Sequence, residues 1–256
     1  CEEPIQTSDV DVICFKNVSF RFSDADENTL RELSFTCKRG QTTAIIGSTG
    51  SGKSTIAKLI LRFHDVTQGA ILLNGTDIRE LKQSVLRKHI SYVPQKAWLF
   101  SGTIADNLRY GNKEASEEEM RRILITAQSE FVEELPEGLL TRVAQGGTNF
   151  SGGQKQRLCI ARALMKTSDL YIFDDSFSAL DFKTDAALRK ALALQLKGSA
   201  VLIIAQRIST IVNADQIVVL EDGKIAGIGT HQLLMKECPV YQEIAKSQMK
   251  GEEISD

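Results

Sequence analysis

The sequence predicts an α/β fold built on a mostly parallel sheet, with an antiparallel β-subdomain at the N-terminal end and an α-helical subdomain inserted into it. Three observations carry this. Short, continuously apolar runs at 42–46 (TTAII), 170–173 (LYIF), 201–205 (VLIIA) and 217–220 (IVVL) have the length of buried strands. They alternate with stretches of helical period, the pattern of strands that lie parallel between helices. Ahead of them, residues 10–35 carry β-branched and aromatic runs broken by the acidic loop 23–28, as antiparallel strands do. Between about residues 96 and 165 the strand signal gives way to helical patterns.

Taken in order, residues 1–9 (CEEPIQTSD) are polar and read as a linker, and an opening Cys1 without an initiator Met suggests a segment of a longer protein. The strand at 42–46 runs straight into a glycine-rich loop. After it, residues 54–63 place Ile56, Leu59, Ile60 and Phe63 at helical spacing, predicting one buried face. Ser116 followed by Glu119 is a capping box, each side chain reaching the other's backbone N–H. Residues 184–196 read as helix, and 249–256 as an acidic tail beyond a domain spanning 10–248.

Composition narrows the function classes. Of 256 residues, 42% are hydrophobic and 25% charged, and the net charge is −2, so no basic field invites nucleic acid. Five dispersed cysteines without a C-x-x-C pair argue against a disulfide framework or a zinc site and for a reducing compartment. The three histidines lack metal-ligand spacing, and the longest apolar run has strand length, short of a membrane span.

Gly47-Ser48-Thr49-Gly50-Ser51-Gly52-Lys53-Ser54, with Thr55 beside it, fits G-x-x-x-x-G-K-[ST] between an apolar strand and an amphipathic helix. Glycines let backbone N–H groups close around a β-phosphate, and the following helix points its positive end at the same anion. Lys53 is placed to bridge β- and γ-phosphates and the Ser54 hydroxyl to ligate Mg²⁺, which predicts ATP as the nucleotide. The strand at 170–173 ends in Asp174, a carboxylate suited to the same Mg²⁺.

Phe150-Ser151-Gly152-Gly153-Gln154 opens a helical stretch upstream of Asp174. Alone it could be a flexible helix cap. With the phosphate loop it resembles the signature of ATP-binding cassette proteins, whose nucleotide-binding domains have a RecA-like P-loop NTPase core. The other family landmarks fall in order. Gln95 in YVPQ matches the Q-loop, Ser178-Ala179-Leu180-Asp181 matches the D-loop, and Phe22 sits where an aromatic ring stacks on adenine. The resemblance implies that Gln95 serves both the metal and the catalytic site. Residues 99–111 and 77–81 resemble the exporter branch, which implies a domain on the cytoplasmic face of a membrane, following a membrane domain. Two such cassettes close head to tail over two ATP molecules, so that Ser151, Gly152, Gly153 and Gln154 would meet the partner's γ-phosphate. The coupling helices of the membrane domains would be the other partner.

Two positions depart from the family. Asp175 stands where a glutamate activates the attacking water, and Gln206 where a histidine meets the γ-phosphate. A third, Gln145, replaces a glutamate common in exporters before the signature. The combination implies a degenerate site, slow in turnover, paired with a non-identical cassette that keeps the glutamate and histidine. Importer-type subunits, soluble cassettes such as chromosome-maintenance ATPases, and regulatory modules that never turn over share the binding residues. The chain lacks the heptads of the soluble class, and its 78–111 stretch fits importers poorly.

Overall fold

The computed structural model describes residues 11–253; the linker 1–9 with Cys1, and residues 254–256 of the tail, lie outside them. The elements in chain order are β1 (Asp11–Phe20), β2 (Leu30–Lys38), β3 (Thr42–Gly47), α1 (Lys53–Ile60), β4 (Gln68–Leu73), β5 (Thr76–Asp77), α2 (Gln83–Lys88) and β6 (Ile90–Val93). Then come β7 (Gly102–Thr103), α3 (Ile104–Arg109), α4 (Glu117–Thr126), β8 (Arg142–Val143), α5 (Gly152–Leu164), β9 (Leu170–Asp174) and α6 (Phe182–Gln195). The chain closes with β10 (Ala200–Ile204), β11 (Gln216–Glu221), β12 (Lys224–Gly229), α7 (His231–Glu237) and α8 (Pro239–Glu253). They form two compact units, one from the chain up to Ile90, Asp169–Asp174 and the chain from Gly198, the other from Ser91–Ser168 and Asp175–Lys197.

In the first unit, β1 pairs antiparallel with both β2 and β4. The second sheet runs β12-β11-β3-β10-β9, with β11, β3, β10 and β9 mutually parallel and β12 antiparallel on β11. The apolar runs are the parallel strands because both their faces are covered: every residue of β9 and β10 is buried. The antiparallel β12 was not anticipated, since Gly227 and Gly229 dilute its alternation. Ile56, Leu59 and Ile60 are fully buried, as their spacing predicts, but Phe63 is 56% exposed. The helix stops at Ile60 because Arg62 turns left-handed, with φ 53°, which throws Phe63 outward under the Arg87 guanidinium.

At the edge of this unit remote from Gly47, Asp169 gathers Arg39 (2.9 Å), His89 (2.6 Å) and Asn74 (3.4 Å), tying the ends of β2 and β4 and the residue before β6 to the start of β9. Burial pushes the Asp169 carboxyl up, but hydrogen bonds from His89 and Arg39 and their charges outweigh it, leaving it below its ordinary value. Its contribution to stability is therefore complete above the unfolded pKa of about 3.9 and is lost as pH falls through the lower folded value. Asp169→Asn is expected to cost about 1–2 kcal/mol at pH 7. The urea midpoints of the two proteins should differ at neutral pH and converge as the pH falls below about 4.

The second unit is helical but not free of strands: β7 pairs antiparallel with β8. It also includes α6, beyond the 96–165 span expected for the helical insertion. Three helices here begin on reciprocal or single side-chain caps, Thr103 for α3, Ser151 for α5 and Asp181 for α6. For α4 only half of the expected box forms: Ser116 Oγ accepts from the Glu119 N–H at 3.1 Å, without a return bond from the glutamate. Among the described residues, no helix is long and apolar enough to cross a membrane.

Candidate functional site

The strand register brings one set of candidates to a common edge. Gly47 pairs with Leu220, Ile45 with Ile204, and Ile204 with Asp174, so β3, β9, β10 and β11 deliver their C-terminal ends together. That edge is where open α/β sheets bind ligands. The loop leaving β3 must pass close to β11: a methyl group at Gly47 would meet the Leu220 carbonyl oxygen at 2.2 Å and Ser51 Oγ at 2.8 Å. Gly52 begins α1 with φ 96°, a left-handed conformation in which a side chain would also strike Leu30.

α1 has no capping side chain and no acid in its first turn. Its N-terminal amides and the positive end of its dipole are thus left to an anion held by the loop. Lys53 Nζ folds back over that loop, donating to the carbonyl oxygens of Gly47 (2.7 Å) and Ser48 (2.6 Å). Ser48, Thr49 and Gly50 are exposed, whereas Ser51 and Thr55 are buried, and Ser51 Oγ is buried without a hydrogen-bond partner. A polar atom orphaned within a phosphate-binding loop fits a cradle whose missing partner is a phosphate oxygen.

Ser54, in the first turn of α1 after β3, donates its Oγ hydrogen to Asp174 Oδ1 at the end of β9 at 3.2 Å, although β10 lies between β3 and β9 in the sheet. Asp174 is 4% exposed at the end of β9. This hydroxyl and carboxylate are the hard oxygen donors that Mg²⁺ takes from protein. Among the described residues no cluster of three or more His, Cys, Asp and Glu could hold a metal ion. Gln206 follows β10 at the same edge with its side chain exposed. Phe22, just past β1, is half-buried and packs edge-on against Phe20 and His64, centroids 4.7 and 5.3 Å away. It is therefore not a core residue, and part of its ring remains open.

The remaining candidates lie in the second unit. Gln95 Nε2 donates to Asp175 Oδ2 at 3.0 Å. Asp175 itself has φ 46°, a left-handed backbone that Asp tolerates better than most residues. Ser178 Oγ bonds its carbonyl oxygen at 2.9 Å, and the fully buried Ser176 bonds the Val93 carbonyl at 3.0 Å, anchoring the D-loop to the strand before Gln95.

The signature is a rigid cap, not a flexible one. Ser151 Oγ accepts from the Gln154 N–H (3.2 Å) and Gln154 Oε1 from the Ser151 N–H (3.0 Å), a capping box at the start of α5. Ser151 and Gly152 are exposed, with nothing within 4 Å of where a Gly152 Cβ would stand. A Cβ on Gly153 would come within 3.3 Å of the Ala179 carbonyl oxygen, so signature and D-loop pack directly. Leu180 is buried, and Asp181 caps α6 by accepting from the Thr184 N–H at 3.0 Å. That hydrogen bond holds the Asp181 carboxyl below its usual range.

One contact had no announced role in the sequence: Gln248, on α8, bonds the backbone on either side of Arg207. Its only local trace is the spacing of Tyr241, Ala245 and Gln248 along one helix face.

Comparison with known proteins shows the family. A family model described as ABC transporter matches residues 30–178. An uncharacterized ABC transporter ATP-binding protein of Mycobacterium tuberculosis is 49% identical over 242 residues, which cover 93% of this chain and 41% of that protein. An ATP-dependent lipid A-core flippase of Haemophilus influenzae is 41% identical over 239 residues, again 93% of this chain and 41% of the relative. A solved bacterial Atm1-family ABC exporter with ATP bound matches with a TM-score of 0.91 at 37% identity, over 97% of this chain and 44% of that one. The chain thus spans less than half the length of these relatives.

Proposed function

The chain belongs to the ABC transporter family, and on that premise we propose that it is the ATP-binding cassette of a membrane exporter, working at the cytoplasmic face. It holds Mg-ATP on its phosphate loop and closes head to tail on a second, non-identical cassette. The observation that carries the binding half is the Ser54–Asp174 contact at the mouth of an uncapped helix. ATP binding with Mg²⁺ is what the family does. Here Lys53 would turn its ammonium from the Gly47 and Ser48 carbonyls to the phosphates, Ser54 and Asp174 would hold the metal, and Phe22 would offer its open ring face to the base. Bound there, the metal would supply positive charge against the developing charge of the leaving phosphates.

The same residues argue that this site retains ATP for long intervals. A base must reach the attacking water, and the Asp175 carboxylate is one methylene shorter than glutamate, a shortfall on the order of 1 Å that costs about 10²-fold in rate. It is also engaged by Gln95 at 3.0 Å. Gln206 donates one hydrogen bond to a γ-phosphate but carries no charge. By contrast, the Ser151–Gln154 cap is intact and exposed, the state needed to complete the partner's site. The partner therefore keeps the glutamate and histidine, and the membrane domains' coupling helices receive the closure near Gln145.

ATPase assay of the assembled pair separates the two sites. Replacing the partner's catalytic glutamate should nearly abolish turnover, whereas Asp175→Ala should leave at least half of it. Equal loss from Asp175→Ala would refute the asymmetric reading.

A further inference from the structure

We infer that Gln248 is a positioning residue for the segment that carries Gln206, so that α8 sets how firmly the γ-phosphate is gripped. This rests on the assignment of Gln206 to the γ-phosphate made above.

The side-chain amide of Gln248 makes two bonds to one short stretch of backbone. Its Nε2 donates to the Gln206 carbonyl oxygen at 2.7 Å, and its Oε1 accepts from the Ile208 N–H at 2.8 Å. A primary amide is suited to this, since it presents donor and acceptor side by side as a backbone peptide does in a β-ladder; a carboxylate offers only the acceptor. Ala205 N–H bonds the Ile45 carbonyl of the neighbouring strand at 3.0 Å, and beyond it the chain leaves β10 for the 3₁₀ turn Ile208–Thr210, the segment that the amide spans.

The helix that brings the amide there is itself fixed. Tyr241 is fully buried and its hydroxyl meets His231 Nδ1 at 2.8 Å, and Ala245 is 5% exposed. Tyr241, Ala245 and Gln248 stand at i, i+4 and i+7, so the amide lies on the same docked stripe. Gln242 Nε2 secures the same helix to the Met235 carbonyl at 3.0 Å. Gln248 thus extends from a docked helix to touch the backbone on both sides of Arg207.

The test uses the complete protein with its partner, comparing wild type, Gln248→Leu and Gln206→Ala. Leucine keeps the bulk and apolar stem of glutamine and removes both bonds. Hydrogen exchange followed by mass spectrometry should show the peptide containing Ile208 exchanging about tenfold faster in Gln248→Leu. Equilibrium binding of Mg-ATP and Mg-ADP should show their affinity ratio at this chain's site falling roughly three- to tenfold, with ADP affinity unchanged, because only ATP has the group that Gln206 addresses. A merely structural contact would not move that ratio. Unchanged exchange at Ile208 overturns the clamp. Faster exchange with an unchanged ratio, while Gln206→Ala lowers it, overturns the coupling. If Gln206→Ala itself leaves the ratio unchanged, the assignment of Gln206 fails and takes the γ-phosphate part of the inference with it, while exchange at Ile208 still reports the clamp.

Discussion

Lys53→Met is expected to remove almost all nucleotide-dependent stabilisation of this chain while leaving the nucleotide-free fold nearly unchanged. Methionine keeps a flexible apolar stem of similar reach and deletes only the ammonium. Without nucleotide that ammonium donates to the Gly47 and Ser48 carbonyls at the partly exposed mouth of the loop, where water can take its place. The apo melting temperature should therefore move by little more than an exposed substitution does. With nucleotide the balance differs. The ammonium is the loop's positive side chain, and losing a cation that faces bound phosphates costs about 2–5 kcal/mol, or roughly 30-fold to several thousandfold in affinity. At an ATP concentration near one hundred times the wild-type Kd, binding stabilises the folded chain by about 2.7 kcal/mol, and by about 0.4 kcal/mol after a hundredfold loss. Thermal unfolding with Mg-ATP should then show a rise of roughly 5–10 °C for the wild type and about 1 °C for the variant. An equal rise in both would mean that Lys53 does not face the phosphates.

That part of the site was legible in the sequence because it is local. Strand, glycine loop and helix are consecutive, each with its own period, and a glycine at position 47 or 52 is dictated within a few residues by a passing carbonyl or a left-handed φ. The same holds for Ser151 and Gln154, whose capping bonds span one helical turn. What was not legible depends on where distant segments meet. Phe63 continues the apolar period of α1 but falls beyond the left-handed turn at Arg62, which nothing in the periodicity announces. The left-handed backbone of Asp175 follows from the packing of Ser176 and Ser178 around the chain reversal after β9. α6 reads as another helix of an α/β alternation, yet it belongs with the helical unit, because an alternation does not say which layer a helix joins. Gln248 is an unremarkable polar residue on a helix until the fold brings it to the chain forty residues earlier.

Ser151→Asp is expected to abolish turnover by the assembled pair without weakening the helix it starts. Ser151 has two duties on the proposed reading, and alanine would remove them together: it caps α5 through the Gln154 N–H, and, being exposed, it would meet the partner's ATP. Loss of the cap alone costs about 0.5–2 kcal/mol, so a defect in Ser151→Ala leaves the cause open. Aspartate separates the duties. It caps as well as serine, and its charge is favourable at a helix N-terminus, so the thermal stability of the isolated fold should be equal to or above that of the wild type. The same charge, however, now faces the γ-phosphate across the closed pair. Two like charges about 4 Å apart repel by roughly 4 kcal/mol at the effective dielectric of a protein surface, which opposes closure and lowers turnover by about 10²- to 10³-fold. ATP binding by this chain should remain, because its own loop lies in the other unit of the fold. The ATPase rate of the pair, set beside nucleotide binding and the melting temperature of this chain, reads all three. Undiminished turnover in Ser151→Asp would place the signature away from the partner's nucleotide, and the intact cap would then be no more than the start of a helix.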